Sequence, residues 1–407
     1  MPTSPSPGDG AFAGSVTFVL GTRPEIVKLA PLARLFGERA RVAYTGQHYD
    51  AKMSEVFFNE CGLRMPDATL EVGGYTRAEQ IGAGLSRLDG CFAVGAPDVV
   101  VVQGDTNSAL AGALAANARG IPLVHVEAGL RSHDRAMPEE HNRVLIDHVA
   151  DLLCAPTEGN AANLRAEGLD PRRVAVTGNT VVEALTAALP EPASRAKLLA
   201  DTGVEPGRFV LATVHRPENT DDAGRLGAIV RELTALGEAG WPVVFPVHPR
   251  TRAALSCAHP GPMPERIIAC EPLGYRDFLA LAAECALLVS DSGGIQEEAT
   301  VLRRPLIVVR RSTERPEALG GFAVLTEPGP AIGRHARRLL SDVPGARREL
   351  EGLDCPFGDG RASERIAGLI RDRFTAAGAC DPAPGAVRQR QYLPHLSECY
   401  APAEPSA

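Results

Sequence analysis

Two glutamates that are close in the sequence, Glu127 and Glu139, lie in very different local settings. Glu127 follows the apolar run Leu123 to Val126, which is typical of a buried strand, whereas Glu139 follows Pro138 at the start of a helical pattern. Open α/β sheets bind ligands beyond the carboxyl ends of their strands, and a carboxylate at a helix start can point into the same crevice. The pair therefore indicates acid/base chemistry. The alternative for Glu139 is that it only complements the helix dipole.

Three further polar residues occupy comparable positions after apolar runs. Asp105 follows the run Val99 to Val102, and it could contact a ligand or, with equal weight, form the N-cap of the next helix. His215 and His248 each follow a buried-strand pattern rather than lying on a helix face. That repeated position favours ligand contact over core packing for both histidines.

The segment GTRPE, which begins at Gly21, joins a strand pattern to an amphipathic helix that carries Lys28. Arg23 and Lys28 would place two cations beside the unpaired N–H groups of the helix start, where anions bind. The competing interpretation of Lys28 is a surface ion pair with Glu25, one helical turn earlier. Both interpretations fit the local sequence.

A second candidate anion site is the segment SDSGGIQEE, which also follows a buried-strand pattern. Ser292 to Gly294 would let backbone N–H groups approach an anion where a helix begins, so they predict a diphosphate cradle. Glu298, one turn into that helix, could bind the two hydroxyls of a ribose, and Arg315 could add positive charge. The segment has neither the lysine of a P-loop nor a G-x-G-x-x-G pattern, so neither ATP nor NAD is expected.

The composition limits the classes of protein to which the chain can belong. Its 407 residues favour two domains, and 23% charged residues with a net charge of -8 argue against a non-specific nucleic-acid surface. Nine scattered cysteines without a C-x-x-C pair predict neither a zinc site nor a disulfide framework, and they indicate a reducing compartment. No signal-peptide pattern and no membrane-length apolar run is evident. We expect a cytoplasmic protein that binds neither nucleic acid nor membrane.

Short apolar runs alternate with helical patterns along two stretches of the chain, which predicts an α/β fold with two doubly wound, Rossmann-like domains. The runs are uniformly apolar, as strands covered on both faces of a parallel sheet require. The predicted strands are Val16 to Leu20, Arg41 to Thr45, Asp98 to Val102, Leu123 to Val126, Leu152 to Ala155, Val174 to Val176, Phe209 to Val214, Val243 to Val247, Ile267 to Ala269, Ala286 to Val289, Leu306 to Val309 and Phe322 to Leu325. The predicted divisions are a flexible N-terminus (1–14), a first domain (15–189), a second domain (190–362), a helix returning to the first domain (363–377) and a loose tail (378–407).

These segments together resemble the non-hydrolysing UDP-N-acetylglucosamine 2-epimerases, and the resemblance extends from Gly21 to about Arg371. The motifs that carry it are GTRPEIVKLAPL from Gly21, TGQHYDAKM from Thr45, QGDTNSALAGALAA from Gln103, HVEAGLRS from His125, MPEEHNRVLIDH from Met137, TGNTVVEAL from Thr177, TVHRPEN from Thr213, FPVHPRT from Phe245, SDSGGIQEEA from Ser290 and STERPEAL from Ser312. Any one motif is weak evidence. All of them in this order make the resemblance specific.

The resemblance implies a GT-B-like fold, in which the active site lies in the cleft between the two Rossmann-like domains and binds a UDP-sugar. It implies catalytic roles for Asp105, Glu127, Glu139 and His215. The residues that match the family's substrate-binding or UDP-binding positions are Arg23, Lys28, His248, Phe278, Ser292, Gly293, Glu298 and Arg315, with Gly294 completing the predicted cradle. A homodimer without a cofactor is expected.

The implied reaction is the reversible epimerisation of UDP-N-acetylglucosamine to UDP-N-acetylmannosamine, by anti elimination of UDP and its re-addition to 2-acetamidoglucal. The proton at carbon 2 has no carbonyl beside it, so its removal needs UDP as a leaving group, and no metal is required. The alternatives are an epimerase for a 2,3-diacetamido uronic acid nucleotide, a hydrolysing epimerase, a GT-B glycosyltransferase and a catalytically silent nucleotide-sugar sensor. Which carboxylate is the base and which the acid stays open.

Overall fold

A computed structural model of the chain describes residues 14–47, 58–258 and 265–374. Residues 1–13 of the predicted flexible N-terminus, most of the TGQHYDAKM motif and the predicted loose tail at 378–407 lie outside the described residues. The described residues contain two β-sheets in which the paired strands are parallel. The prediction of two doubly wound parallel sheets is confirmed.

The first sheet has seven described strands in the order β3-β2-β1-β4-β5-β6-β7. They are β1 Val16–Leu20, β2 Ala40–Tyr44, β3 Ala68–Thr69, β4 Val99–Gln103, β5 Leu123–Val126, β6 Leu152–Ala155 and β7 Val174–Val176. The second sheet has six described strands in the order β10-β9-β8-β11-β12-β13. They are β8 Val210–Thr213, β9 Val243–Pro246, β10 Ile267–Cys270, β11 Leu287–Ser290, β12 Leu306–Val309 and β13 Ala323–Thr326.

Helices connect the strands and cover both faces of each sheet. In chain order the described helices are α1 Arg23–Phe36, α2 Arg77–Val94, α3 Asn107–Ala118, α4 Pro138–Val149, α5 Glu158–Ala166, α6 Val181–Ala188, α7 Pro192–Thr202, α8 Pro217–Thr220, α9 Ala223–Glu238, α10 Pro249–Ala258, α11 Tyr275–Glu284, α12 Gly293–Leu302, α13 Ala331–Leu340, α14 Val343–Glu351 and α15 Ala362–Phe374. Among the described residues, no helix is both long and apolar enough to cross a membrane.

Strand β4 shows why the predicted strands are uniformly apolar. Its four valines have no exposed surface, and successive side chains point to opposite faces of the sheet. Val99 and Val101 pack into the core on one face, whereas Val100 and Val102 pack into the core on the other. Each of the twelve predicted strands lies within one residue of the observed bounds. Only β3 among the described strands was not predicted, because two residues are too few to show a pattern.

Each sheet has one position at which the strand order reverses. In the first sheet this switch point lies between β1 and β4, and in the second it lies between β8 and β11. Open α/β sheets bind ligands in the crevice beyond the strand ends at such points. Lys28 and Asp105 follow the two strands of the first switch point, and His215 and Ser292 follow those of the second. The fold therefore brings the predicted site residues to two ligand-binding edges.

The last described helix, α15, packs against the first sheet. Ile366, Ala367 and Ile370 are fully buried in the same core as Phe18 of β1 and Leu29 of α1. Its residues thus lie with the first sheet, although they follow the whole of the second sheet in the chain. The domain limits themselves, at 189 and 362, stay predictions.

Candidate active site

A buried ion-pair network joins the two sheets at their strand ends. Lys28 Nζ of α1 lies 2.5 Å from Oε2 of Glu127 and 2.6 Å from Oε2 of Glu297 on α12. Arg315 completes the ring, with Nη2 at 2.8 Å from Oε1 of Glu127 and Nε at 2.7 Å from Oε1 of Glu297. None of these four side chains is more than 8% exposed. Two cations and two carboxylates, contributed by both sheets, therefore share one dry site.

The backbone holds Glu127 in an unusual conformation. Its φ is 69°, in the left-handed region that residues other than glycine rarely adopt. Gln103, the last residue of β4, donates a hydrogen bond of 2.7 Å from Nε2 to Oε2 of Glu127. Left-handed conformations of this kind persist where the surrounding structure compensates for them, and they cluster at functional sites. The turn after β5 thus carries a carboxylate that is constrained by both backbone and side-chain contacts.

Three of the four groups of the network have pKa values that are shifted toward their charged forms. Burial would lower the pKa of Lys28, but Glu127 and Glu297 raise it above its usual value. Burial would likewise lower the pKa of Arg315, and the same carboxylates raise it well above its usual value. Burial would raise the pKa of Glu297, but Arg315 and Lys28 lower it. The opposite charges stabilise one another, because burial strengthens their mutual attraction.

The alternative partner for Lys28, Glu25, is occupied elsewhere. Its carboxylate accepts hydrogen bonds from Oγ1 of Thr22 at 2.8 Å, from Oγ1 of Thr106 at 2.7 Å and from the N–H of Gly21 at 3.0 Å. Burial raises the pKa of Glu25 to about 7, against the opposing effect of these bonds. A surface pair between Glu25 and Lys28 is therefore excluded. Glu25 instead ties the turn after β1 to the turn after β4.

Glu314 extends the network within the second sheet. Arg315 Nη1 donates to its Oε1, and Arg310 Nη1 donates to its Oε2 at 2.9 Å. Burial would raise the pKa of Glu314, but Arg315 and Arg310 lower it far below its usual value. From the sequence, Glu314 is expected only to add charge to this crevice, together with Arg310 and Arg315. The sequence analysis missed Glu297, for which the available signal was that it is the chain neighbour of the predicted residue Glu298.

Asp105 binds an arginine rather than capping a helix. The N-cap of α3 is Thr106, whose Oγ1 accepts from the N–H of Ala109 at 3.0 Å, so the capping alternative for Asp105 is wrong. Its carboxylate instead accepts from Nε of Arg143 at 3.1 Å and also from Nη2. Burial would lower the pKa of Arg143, but Asp105 and other carboxylates raise it. Arg143 of α4 thus anchors the Asp105 side chain beside the first switch point.

The neighbours Glu139 and Glu140, in the first turn of α4, have different environments. Glu140 is buried and accepts from the N–H of Ser132 at 3.0 Å, from the N–H of His133 at 2.9 Å and from Arg143. Glu139 is half-buried, and its carboxylate forms no hydrogen bond or ion pair within the described parts of the chain. The structural role at this helix start therefore belongs to Glu140. The structure does not bring Glu139 into the ion-pair network.

His215 lies at the second switch point, above a buried carboxylate. The backbone N–H of His215 donates to Asp291 at 3.1 Å, and the fully buried Asp291 also accepts from the N–H of Arg216 at 3.0 Å. Burial lowers the pKa of His215. The carboxylate of Asp291 opposes this effect, whereas the nearby Arg216 and His248 lower the pKa further. The rings of His215 and His248 lie 6.3 Å apart. The two histidines predicted from strand ends thus face each other, and His215 favours the neutral form that can exchange a proton.

The helix start at Ser292 to Gly294 has two glycines with different roles. A Cβ on Gly293 would lie 2.7 Å from Nη1 of Arg315 and 2.7 Å from Oε1 of Glu314, so a side chain there would displace the network. A Cβ on Gly294 would meet no atom within 4 Å, so its backbone faces open space. Only Gly294 matches the prediction that glycine allows a ligand to approach. Ser292 is the N-cap of α12, whose first N–H groups are available to an anion.

Three further predicted residues, Glu298, Phe278 and Arg23, lie on three different helices, α12, α11 and α1. Burial and the neighbouring Glu297 raise the pKa of Glu298 to about 7. Phe278 of α11 is half-buried and packs against the core of the second sheet. Arg23, the first residue of α1, is half-buried, and burial lowers its pKa. Arg23 lies at the first switch point and Glu298 at the second, whereas Phe278 lies on the helix that follows the edge strand β10.

The sequence of this chain matches one family model along most of its length. Residues 37–371 match the model of UDP-N-acetylglucosamine 2-epimerase. The chain belongs to this family. The resemblance predicted from the motifs is thereby confirmed, because the matched region contains nearly all of the segments on which it rested.

Individual relatives agree with the family model. The chain is 38% identical to the UDP-N-acetylglucosamine 2-epimerase of Methanocaldococcus jannaschii, over 87% of this chain and 98% of the relative. A crystal structure of the M. jannaschii enzyme in complex with UDP-GlcNAc and UDP has a TM-score of 0.80, with 88% of this chain and 99% of that chain covered. The chain is also 34% identical to the UDP-2,3-diacetamido-2,3-dideoxy-D-glucuronate 2-epimerase of Pseudomonas aeruginosa, over 86% of this chain and 97% of the relative. The likeness to the solved structure confirms the predicted GT-B-like fold.

Proposed function

We propose that this protein interconverts UDP-N-acetylglucosamine and UDP-N-acetylmannosamine by inverting carbon 2, as a non-hydrolysing epimerase. The observation that carries the proposal is the convergence of Lys28 and Arg315, from opposite sheets, on the carboxylate of Glu127. Cations suit a departing diphosphate and a carboxylate suits proton transfer, so the two requirements of the reaction meet in one place. Membership of the epimerase family supports the same conclusion.

The proposed chemistry is an elimination followed by an addition. A protein base takes the proton from carbon 2, and the electrons of that C–H bond form a double bond between carbons 1 and 2. The bond from carbon 1 to the diphosphate oxygen breaks, and UDP leaves with its electron pair. The reverse addition of UDP, with a proton delivered to the opposite face of carbon 2, gives the epimer. Neither NAD nor a metal takes part in these steps.

The binding residues divide into groups with different roles in this proposal. Lys28, Arg23 and Arg315 stabilise the diphosphate, together with the N–H groups of Ser292 to Gly294. Glu298 binds the ribose hydroxyls. The nucleotide and sugar are further held by Phe278 and His248. These assignments rest on the family resemblance and, for Arg23, Lys28, Ser292 to Gly294 and Glu298, on positions at the two switch points.

The proton transfers are assigned to Asp105, Glu127, Glu139 and His215. Among them Glu127 has a direct electrostatic link to the diphosphate site, because Lys28 and Arg315 are its ion-pair partners. A bound diphosphate would share these two cations. The carboxylate of Glu127 would then lose part of its ion pairing and could accept the proton from carbon 2. Substrate binding and activation of the base are coupled in this way.

A second substrate is also a candidate, because the chain is 34% identical to the 2-epimerase of P. aeruginosa that acts on UDP-2,3-diacetamido-2,3-dideoxy-D-glucuronate. Parallel assays with the two UDP-sugars would discriminate between them by kcat/KM. The homodimer and the cytoplasmic location expected from the sequence also belong to the proposal. Light scattering after size exclusion tests the dimer, and fractionation of the source cells tests the location.

The experiment that tests the reaction uses heavy water. The protein is incubated with UDP-N-acetylglucosamine in D₂O, without NAD or added metal, and the products are examined by NMR and mass spectrometry. We expect UDP-N-acetylmannosamine with one deuterium at carbon 2, and some 2-acetamidoglucal with free UDP. Product without deuterium contradicts the elimination. UDP with free N-acetylmannosamine indicates hydrolysis, transfer that requires an acceptor indicates a glycosyltransferase, and no reaction indicates a sensor.

A further inference from the structure

His125 is a buried histidine that none of the proposed chemical steps uses. It is the third residue of β5, and its side chain has no exposed surface. Its Nε2 lies 2.8 Å from the carbonyl oxygen of Gly104, and its Nδ1 lies 2.7 Å from Oδ1 of Asp147. A carbonyl oxygen can only accept a hydrogen bond, so Nε2 must carry a proton.

The environment of Asp147 shows that Nδ1 also carries a proton. A neutral His125 ring would need a proton on Asp147 to satisfy Nδ1. The other carboxylate oxygen of Asp147 accepts from Nη1 of Arg131 at 2.8 Å and from the N–H of Gly129 at 3.2 Å, which favours the ionised carboxylate. Burial would raise the pKa of Asp147, but His125 and Arg131 lower it. Two protonated ring nitrogens make His125 an imidazolium.

The hydrogen bonds of this imidazolium reach the turns that carry two of the proposed catalytic carboxylates. Gly104 has a φ of 67°, and its N–H donates to the carbonyl of Val126 at 3.0 Å. Its carbonyl accepts from His125, so the peptide units on both sides of Gly104, the second of which leads into Asp105, are each held by one hydrogen bond. On the other side of the ring, Asp147 accepts the N–H of Gly129, two residues after Glu127.

We propose that His125, donating from both ring nitrogens, is a positioning residue for the carboxylates of Asp105 and Glu127. It orients the first through the carbonyl of Gly104 and the second through Asp147 and Gly129. This inference rests on the proposed function, because that proposal assigns the two carboxylates to proton transfer. A charged donor is suited to the task, since charge-assisted hydrogen bonds are stronger than neutral ones and define geometry more tightly.

The protonation state can be measured without any substrate. In wild-type protein labelled with ¹⁵N-histidine, we expect both ring nitrogens of His125 to be protonated at neutral pH, as hydrogen bonds donated to Gly104 and Asp147 require. The spectrum of His125→Gln identifies the resonance. One unprotonated ring nitrogen at neutral pH in the wild-type protein would overturn the proposal.

The positioning role can be measured by kinetics. His125→Gln retains a donor for the carbonyl of Gly104 but loses the charge, and we expect kcat to fall by about 10-fold or more. The affinity for UDP, measured by calorimetry, should stay within about a factor of two, because the predicted UDP cradle lies on the other sheet. The matched control is His148→Gln, near the end of the same helix as Asp147, where the side chain is 46% exposed. It should leave kcat unchanged.

A double variant distinguishes positioning from general destabilisation. If His125 acts through Asp105, then His125→Gln should cost little more kcat in an Asp105→Asn background, whereas independent effects would multiply. Multiplying losses, or a lower melting temperature with unchanged kcat, would overturn the positioning role. If His125→Gln does not fold, the His125 resonance is assigned through its backbone by triple-resonance experiments, and the NMR measurement on the wild-type protein decides. A wild-type protein that does not epimerise its substrate contradicts the proposed function instead and leaves the NMR result in place.

Discussion

The ammonium group of Lys28 lies 2.6 Å from a carboxylate oxygen of Glu297, although the two residues belong to helices over different sheets. Both side chains are almost completely buried. A buried ion pair costs desolvation energy, so it contributes net stability only when its geometry and further hydrogen bonds compensate. Here Glu127 and Arg315 supply that compensation by completing the ring of charges. The pair therefore links a helix of each sheet beside the proposed diphosphate site.

Removal of one partner from this pair should be strongly destabilising. For Lys28→Met we expect the free energy of unfolding to fall by about 3–5 kcal/mol, because Glu127 and Glu297 lose a buried counter-charge. Adding Glu297→Gln should restore part of the loss. Urea unfolding measures both variants. The control is Arg41→Met, whose exposed pair with Asp67 is worth about 1 kcal/mol or less. Additive losses in the double variant would contradict a direct charge pairing.

The proposed acid/base residues should affect turnover more than folding. We expect Asp105→Asn and Glu139→Gln each to lower kcat by ~10² to 10⁴, the range for positioned acid/base groups. Glu127→Gln should do the same and also lower the melting temperature, because it breaks buried ion pairs. Steady-state assays and thermal unfolding are the measurements. Glu364→Gln, an exposed partner of Arg361, is the control. Near-normal turnover in two of the three variants would refute the assigned roles.

The proposed ribose contact predicts a defined loss of nucleotide affinity. Glu298→Ala should weaken UDP binding by about 1–3 kcal/mol, the range for loss of a hydrogen bond to a charged or buried group. Titration calorimetry with UDP measures the change directly. The matched control is Glu351→Ala, which removes a carboxylate that is 56% exposed and should leave the affinity unchanged. Equal affinities for wild type and Glu298→Ala would place the ribose elsewhere.

Glu25 predicts a pH dependence of stability. Its pKa is raised from 4.5 to about 7 in the folded protein. Between these values the folded state keeps a proton that the unfolded state has released, so the free energy of unfolding falls as the pH rises from about 4.5 to about 7. The contribution of Glu25 is on the order of 3 kcal/mol. In Glu25→Gln this fall in the free energy of unfolding with rising pH should disappear. Urea unfolding across the pH range would show the difference. Parallel pH curves for wild type and variant would contradict the raised pKa.

Local sequence was sufficient for the strands and for the general position of the site. The run from Val99 to Val102 predicted β4 because both faces of a parallel strand are covered, which leaves no place for a polar residue. The positions of Asp105 and His215 after such runs predicted that they lie at sheet edges. Parallel strands end at the same edge, so sequence position alone carried that information. The predictions for the termini, at residues 1–13 and 378–407, lie outside the described residues.

The partners of the charged residues were decided by the tertiary structure alone. A helical pattern suggested Glu25 for Lys28, because local rules cover only residues three or four positions apart. The observed partners of Lys28 are Glu127 and Glu297, and Arg315 reaches Glu127 across 188 residues of the chain. Glu297 was predicted for no role, although its chain neighbour Glu298 was. Whether Glu297 or Glu298 points toward Lys28 depends on how the two sheets meet. No local sequence pattern encodes that geometry.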